Sequence, residues 1–211
     1  MQQDHARQEY SAHDDVAEFV RAVIHCVLYH RGVYPASSFE RRQLYGMAVP
    51  YHRHPKVVEY ISRAVEQAQR VLSEDGRLDI RVPIIRDDDD DGSQKMVEMY
   101  RLVVSIADEQ YTDWYRVYDD FRAVLLRLQS MSCSEMMEDA SKRNVTFRIQ
   151  ICAQGARDLM HGWMVTGRDD DVPLTDSKTI PLPDVHIPPS SAPSGAGGPS
   201  QKMTCMIHVY T

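Results

Sequence analysis

The sequence predicts an α+β domain in which three helices pack on an antiparallel sheet. Two observations carry this reading. Apolar residues recur at three- and four-residue steps in three separate stretches, and they alternate with polar residues in several others. The order is helix, helix, hairpin, helix, strand, irregular segment, strand, so helices and strands are not interleaved one for one as a parallel sheet would require.

The first helix opens after His13-Asp14-Asp15, where an aspartate suits the positive end of the helix dipole. Val16, Phe19, Val20, Val23, Ile24, Val27 and Leu28 form its wide apolar stripe, and it stops near Gly32, with Pro35 beyond. A polar, arginine-containing stretch from Ser37 to Gly46 follows, carrying Phe39 and Tyr45. The second helix opens at His54-Pro55, since proline fits a helix's first turn. Val57, Val58, Ile61, Ala64, Val65, Ala68, Val71 and Leu72 make its apolar face, and Glu74-Asp75-Gly76 ends it. Leu78, Ile80, Val82 and Ile84 alternate as in a half-buried strand, and Met96 to Ile106 is strand-like again. The pair reads as a hairpin around an aspartate run.

A third helix runs from a Thr112-Asp113 cap to about Met131, with Trp114, Val117, Tyr118, Phe121, Leu125 and Leu128 in its stripe. Val145, Phe147, Ile149 and Ile151 alternate more clearly than any other stretch. Trp163-Met164-Val165 is a short apolar island, and residues 181–198 are rich in Pro, Ser and Gly, the composition of a flexible loop. Met203 to Tyr210 regains apolar alternation and closes the chain as a short strand.

At 211 residues and 43% hydrophobic the chain can bury a core of one domain. With 31 acidic against 24 basic side chains its net charge is −7, which argues against holding nucleic acid over a broad face by charge. It does not exclude a subunit of a DNA-handling complex, which would reach DNA only indirectly, through a partner. No apolar run is long enough to span a membrane, and the polar first ten residues carry no secretory pattern. Cys26, Cys133, Cys152 and Cys205 form no CxxC pair and read as free thiols of a soluble intracellular protein.

One motif match is sharp. Asp87, Asp89, Asp91, Gly92 and Glu98 fit the spacing of an EF-hand calcium loop. An EF-hand needs a helix on each side, whereas strand patterns flank this run. The eighth position is Gln94 rather than a branched apolar residue, so a solvated hairpin tip is the better reading. His25, His30, His52 and His54 lack the ligand spacing of a zinc site and are expected to serve as core, cap and surface residues. No GxSxG, P-loop or GxGxxG is present, so neither an enzyme nor a bound cofactor is expected. Arg41, Arg42 and Arg53 are too sparse for a nucleic-acid patch. If the last strand rejoins the sheet, the segment before it closes a loop able to hold an extended peptide by strand addition.

The run Val27-Leu28-Tyr29-His30-Arg31-Gly32-Val33-Tyr34-Pro35, then Phe39-Glu40-Arg41-Arg42 and Tyr45-Gly46, resembles the end of the first helix and the following loop of HORMA-domain proteins. The resemblance continues through Phe121-Arg122-Ala123 and Thr146-Phe147 and covers nearly the whole chain from about Asp14. It implies a single HORMA domain over 14–211, with residues 1–13 a flexible N-terminus. The core would occupy about 14–155, and a C-terminal safety belt about 156–211, with a loop over 183–200, would close over a partner's peptide. His54-Pro55, Tyr60-Ile61, Thr146-Phe147 and Ile180-Pro181-Leu182 are similar to the family's polymerase-accessory branch; Arg31-Gly32-Val33-Tyr34-Pro35 and Tyr45-Gly46 look at least as much like its spindle-checkpoint branch.

The first branch implies an adaptor of translesion DNA polymerase zeta in the nucleus. It would clasp a peptide of the B-family catalytic subunit and bridge to an inserter polymerase in DNA-damage tolerance. The second implies a switch between open and closed forms on binding checkpoint or anaphase-regulator peptides. By resemblance Tyr60, Trp163 and Val165 would line the bound peptide. Arg122 would serve a dimer or partner interface, formed with a second HORMA protein of the same or a different kind. An AAA+ remodelling ATPase would be a further partner.

Overall fold

The long helix α1 (Ala12–His30) is the centre of the molecule, because its apolar residues run beyond one stripe. Besides Val16, Phe19, Val20, Val23, Ile24, Val27 and Leu28, its Ala17, Ala22, His25 and Cys26 are buried. A helix apolar on most sides must be covered on most sides, and α1 packs against α2, α3 and β2. The fold is that of a computed structural model, which describes residues 12–87, 93–105, 114–130, 145–152 and 204–210. The N-terminal residues 1–11, the aspartates 88–91, the Thr112-Asp113 cap and most of the expected belt lie outside the described residues. Within them no helix is long and apolar enough to cross a membrane.

Helix ends follow local chemistry. Gly32 takes φ 61° after α1. The Val33 N–H reaches back to the Leu28 carbonyl at 3.1 Å and the Gly32 N–H to the Tyr29 carbonyl at 3.2 Å, the Schellman pattern of bonds. Helix α2 (Pro55–Asp75) starts on its proline and ends at Gly76, whose φ of 63° lets its N–H bond the Leu72 carbonyl. A Cβ is strained at that φ, so Gly76→Ala is expected to cost about 1 kcal/mol in urea unfolding. The α2 face is buried from Ile61 to Leu72, while Val57 and Val58 at its start are only half-buried. Helix α3 (Trp114–Ser130) buries Val117, Phe121, Val124, Leu125 and Leu128, and Phe121 stacks on Phe19 of α1 at 3.9 Å.

The stretch from Phe39 to His52 departs from expectation. It forms β1 (Phe39–Leu44) and β2 (Met47–His52), an antiparallel hairpin separate from the main sheet. Strand β1 is exposed over its middle and offers no alternation to read, whereas β2 is almost wholly buried against α1. Tyr45 and Gly46 have φ 49° and 71° in succession, the conformation of a tight two-residue hairpin turn. A bulky side chain rarely accepts that conformation. Tyr45 is compensated by stacking on Tyr118 and by an edge contact with Phe121, both at 5.5 Å, and its hydroxyl donates to the Asp15 carbonyl.

The main sheet is antiparallel. Strands β3 (Arg77–Asp87) and β4 (Gln94–Ser105) form its centre, with a bulge after Ile84. Leu78, Ile80, Val82, Ile84, Tyr100, Leu102 and Val104 belong to the shared hydrophobic core. The last strand, β7 (Thr204–Tyr210), pairs with β4 from Ser105↔Thr204 to Met99↔Tyr210, as its alternation predicts. On the far side of β3 lie β5 (Val145–Phe147) and β6 (Gln150–Cys152). The chain therefore leaves β6 at one margin of the sheet and returns in β7 at the other.

Candidate functional site

Strands β5 and β6 are one predicted strand interrupted at Arg148-Ile149. The interruption is not an insertion, because both halves keep a single frame against β3, with Ile84↔Phe147 on one side and Arg81↔Gln150 on the other. Pro83 causes it. The Arg148 N–H donates to the Pro83 carbonyl at 3.2 Å, and Pro83 has no N–H to return. Proline within an interior strand is unusual, and it is the one local signal in the sequence that points here.

Hydrogen-bonding direction alternates along an antiparallel strand. Since Arg148 faces β3, Val145, Phe147, Ile149 and Ile151 turn their N–H and C=O groups outward. Among the described residues no strand pairs with that outer side. A side chain satisfies one outward group: the Ile149 N–H donates to the Tyr60 hydroxyl at 3.1 Å. Tyr60 stands on α2, 40% exposed, with its ring edge-on to Phe147 at 5.6 Å. Tyr34 meets Phe147 edge-on at 6.2 Å and His52 at 4.5 Å, and His52 in turn meets Phe39 at 4.9 Å. Burial, and then the nearness of Tyr60, push the Tyr34 hydroxyl above its ordinary pKa. Outward backbone donors and acceptors beside a row of aromatic rings are suited to an extended peptide, with ladder bonds for affinity and ring pockets for side chains.

Of the residues expected to line a peptide, Tyr60 is at this edge, while Trp163 and Val165 lie outside the described residues. Arg122 belongs to another surface, the exposed side of α3, together with Ala123, Leu126 and Arg127. Tyr34, Pro83 and Ile149 were not singled out as site residues from the sequence. Their participation depends on contacts between segments far apart in the chain.

The other candidate groups are occupied by structure. Glu98, the twelfth position of the calcium-loop pattern, is buried at 7% exposure and paired with Arg31 at 2.8 Å. Asp87, the first position, accepts a bond from Gln94 at 3.0 Å. Among the described residues no three His, Cys, Asp or Glu side chains converge as a metal site would require. His25 Nδ1 accepts the His52 backbone N–H at 3.2 Å, and His52 Nδ1 accepts that of His54 at 3.1 Å. Burial, reinforced by His52, lowers the His25 pKa to about 3, and burial beside Arg41 and Arg31 lowers that of His30 to about 4. Cys26 is buried and its pKa is pushed up to about 12, which removes it as a nucleophile, while Cys152 is exposed at the end of β6.

Residues 14–152 match the family described as HORMA domain. The "Mitotic spindle assembly checkpoint protein MAD2B" of Danio rerio is 24% identical over 182 residues, covering 80% of this chain and 82% of that protein. The "DNA polymerase zeta processivity subunit" of Schizosaccharomyces pombe is 28% identical over 128 residues, covering 56% of this chain and 59% of that protein. The "Mitotic spindle assembly checkpoint protein MAD2A" of Mus musculus is 39% identical over 57 residues, a stretch spanning 27% of this chain and 28% of the mouse protein. Among solved structures, a chain of the mitotic checkpoint complex superposes with a TM-score of 0.67 at 17% identity, covering 95% of this chain and 99% of that one. HTP-2 of C. elegans bound to the HIM-3 closure motif gives 0.62 at 12% identity, covering 95% and 92%. At these identities the structural likeness is one of fold.

Proposed function

The chain belongs to the HORMA-domain family, and from that premise we propose that it is a non-catalytic adaptor whose β5–β6 edge takes an extended peptide of a partner. The observation that carries this reading is the outward ladder of Val145, Phe147, Ile149 and Ile151 beside Tyr60, Phe147 and Tyr34. A related fold, that of HTP-2, is seen bound to a closure motif, which supports peptide capture as the mode of action. On this reading the belt spans about 156–211, with Trp163 and Val165 meeting the peptide from the belt side and Arg122 facing a second HORMA protein or another partner.

Within the family the role is that of an accessory subunit of translesion DNA polymerase zeta, acting in the nucleus. It holds a peptide of the catalytic subunit and links it to an inserter polymerase, with an AAA+ ATPase able to reopen the belt. The match to the fission-yeast DNA polymerase zeta processivity subunit, over more than half of both chains, supports this assignment. A checkpoint switch is the second reading, favoured by the local 39% match to the mouse checkpoint protein.

Affinity purification of the tagged chain from its native cells, followed by mass spectrometry, separates the two. Co-purification of a B-family polymerase and an inserter polymerase is the expected result. Recovery of kinetochore or anaphase-regulator proteins instead would keep the peptide-clasping fold and replace the polymerase role.

A further inference from the structure

The peptide unit joining Arg148 to Ile149 is out of step with the rest of the edge strand. Its carbonyl faces β3 opposite Pro83, which has no N–H to offer, and its N–H faces outward onto the Tyr60 hydroxyl at 3.1 Å. The hydroxyl oxygen therefore occupies the position where a strand added to this edge would place a carbonyl oxygen. We propose that Tyr60 is a gate on this edge: its hydroxyl stands in for the partner's carbonyl on the Ile149 N–H and is displaced when a strand adds. This rests on the adaptor reading and deepens it, by assigning the hydroxyl and the ring of one residue opposite effects on binding.

The ring and the hydroxyl act through different contacts. Tyr60 is 40% exposed as a residue, with its ring edge-on to Phe147, so it offers apolar surface to an incoming side chain. The hydroxyl satisfies a backbone donor that no strand among the described residues pairs with. An incoming carbonyl gains one ladder bond only by breaking the bond already present, so that position contributes little net affinity. Pro83 makes the exchange easier, because it leaves the same peptide unit without its inward bond and free to tilt as the outward partner changes.

The test uses the full chain and two variants. In amide exchange followed by NMR, Tyr60→Phe is expected to speed exchange at Ile149 about tenfold and leave Ile151 unchanged, since it removes one hydrogen bond. Unaltered exchange at Ile149 would overturn the proposal. The binding probe is a dodecamer peptide selected on the wild-type chain from a random phage-displayed library. Tyr60→Phe is expected to bind that peptide a few-fold to about tenfold tighter and to associate faster, and Tyr60→Ala to bind it more weakly through loss of the ring. Weaker binding by Tyr60→Phe would overturn the gate while leaving the adaptor reading intact. Failure to select any peptide on wild type or on Tyr60→Phe would overturn both.

Discussion

Glu98→Ala is expected to lower the unfolding free energy by about 3–5 kcal/mol, among the largest losses available to a single substitution here. Glu98 lies on β4 at 7% exposure, and Arg31, just past the end of α1, reaches it at 2.8 Å with only 10% of its side chain exposed. The Tyr100 hydroxyl donates to the same carboxylate at 3.0 Å, and the Arg31 guanidinium lies over the Tyr100 ring at 5.4 Å and also bonds its hydroxyl. Removing the carboxylate leaves a buried guanidinium without this counter-charge, which costs far more than the net value of the pair. Guanidinium unfolding of Glu98→Ala, Arg31→Ala and the double variant measures this directly. The double variant should be less destabilised than the sum of the singles, because each single leaves one charge stranded. A loss below about 1 kcal/mol for Glu98→Ala would show that water shares the pair. Since Glu98 also completes the calcium-loop spacing, calcium should not rescue the wild type in 4 M urea if the carboxylate serves Arg31 instead.

Acid sensitivity is the second large effect. His25 titrates near 6.5 in an unfolded chain and at about 3 in the fold. Between those values the unfolded state binds the extra proton, so the neutral-pH stability is fully present above pH 6.5 and falls as pH drops toward 3. The slope for one such group is about 1.4 kcal/mol per pH unit. His30, lowered to about 4, adds a second proton over most of that window, and His52 is shifted in the same direction by burial and by His54. Asp15, raised by burial, acts with the opposite sign and only near the carboxylate range. The melting temperature should therefore be flat above pH 7 and drop steeply between pH 6 and pH 4. In His25→Asn, where an amide oxygen can accept the His52 N–H in place of the imidazole nitrogen, the unfolding slope should shrink by about one proton. An unchanged slope would mean that His25 is not the group that titrates.

The same two residues show how far a sequence reading extends. His25 lies on the apolar side of α1, and its place in the core follows from its neighbours in the sequence. The partner that keeps it neutral and bonded, the His52 backbone, comes from a hairpin that the sequence conceals. Glu98 matches a calcium-loop spacing locally, and only its contact with Arg31, far away along the chain, removes it from that role.

The C-terminal end of α1, both ends of α2, the β3–β4 hairpin, the predicted strand over 145–151 and the final strand were all determined by local chemistry. Periodicity, a proline at a helix start and glycines at positive φ act between residues that are near in sequence, so they are readable there. Tertiary structure alone decided the β1–β2 hairpin, whose exposed strand has no buried face to impose alternation and whose turn is held by Tyr118 and Phe121. It also decided the break at Arg148-Ile149 and the capture of the Ile149 N–H by Tyr60. Proline signals a missing donor wherever it stands. Which strand feels that loss, and which side chain reaches the outward-facing amide, depends on register and on contacts between residues far apart in the chain.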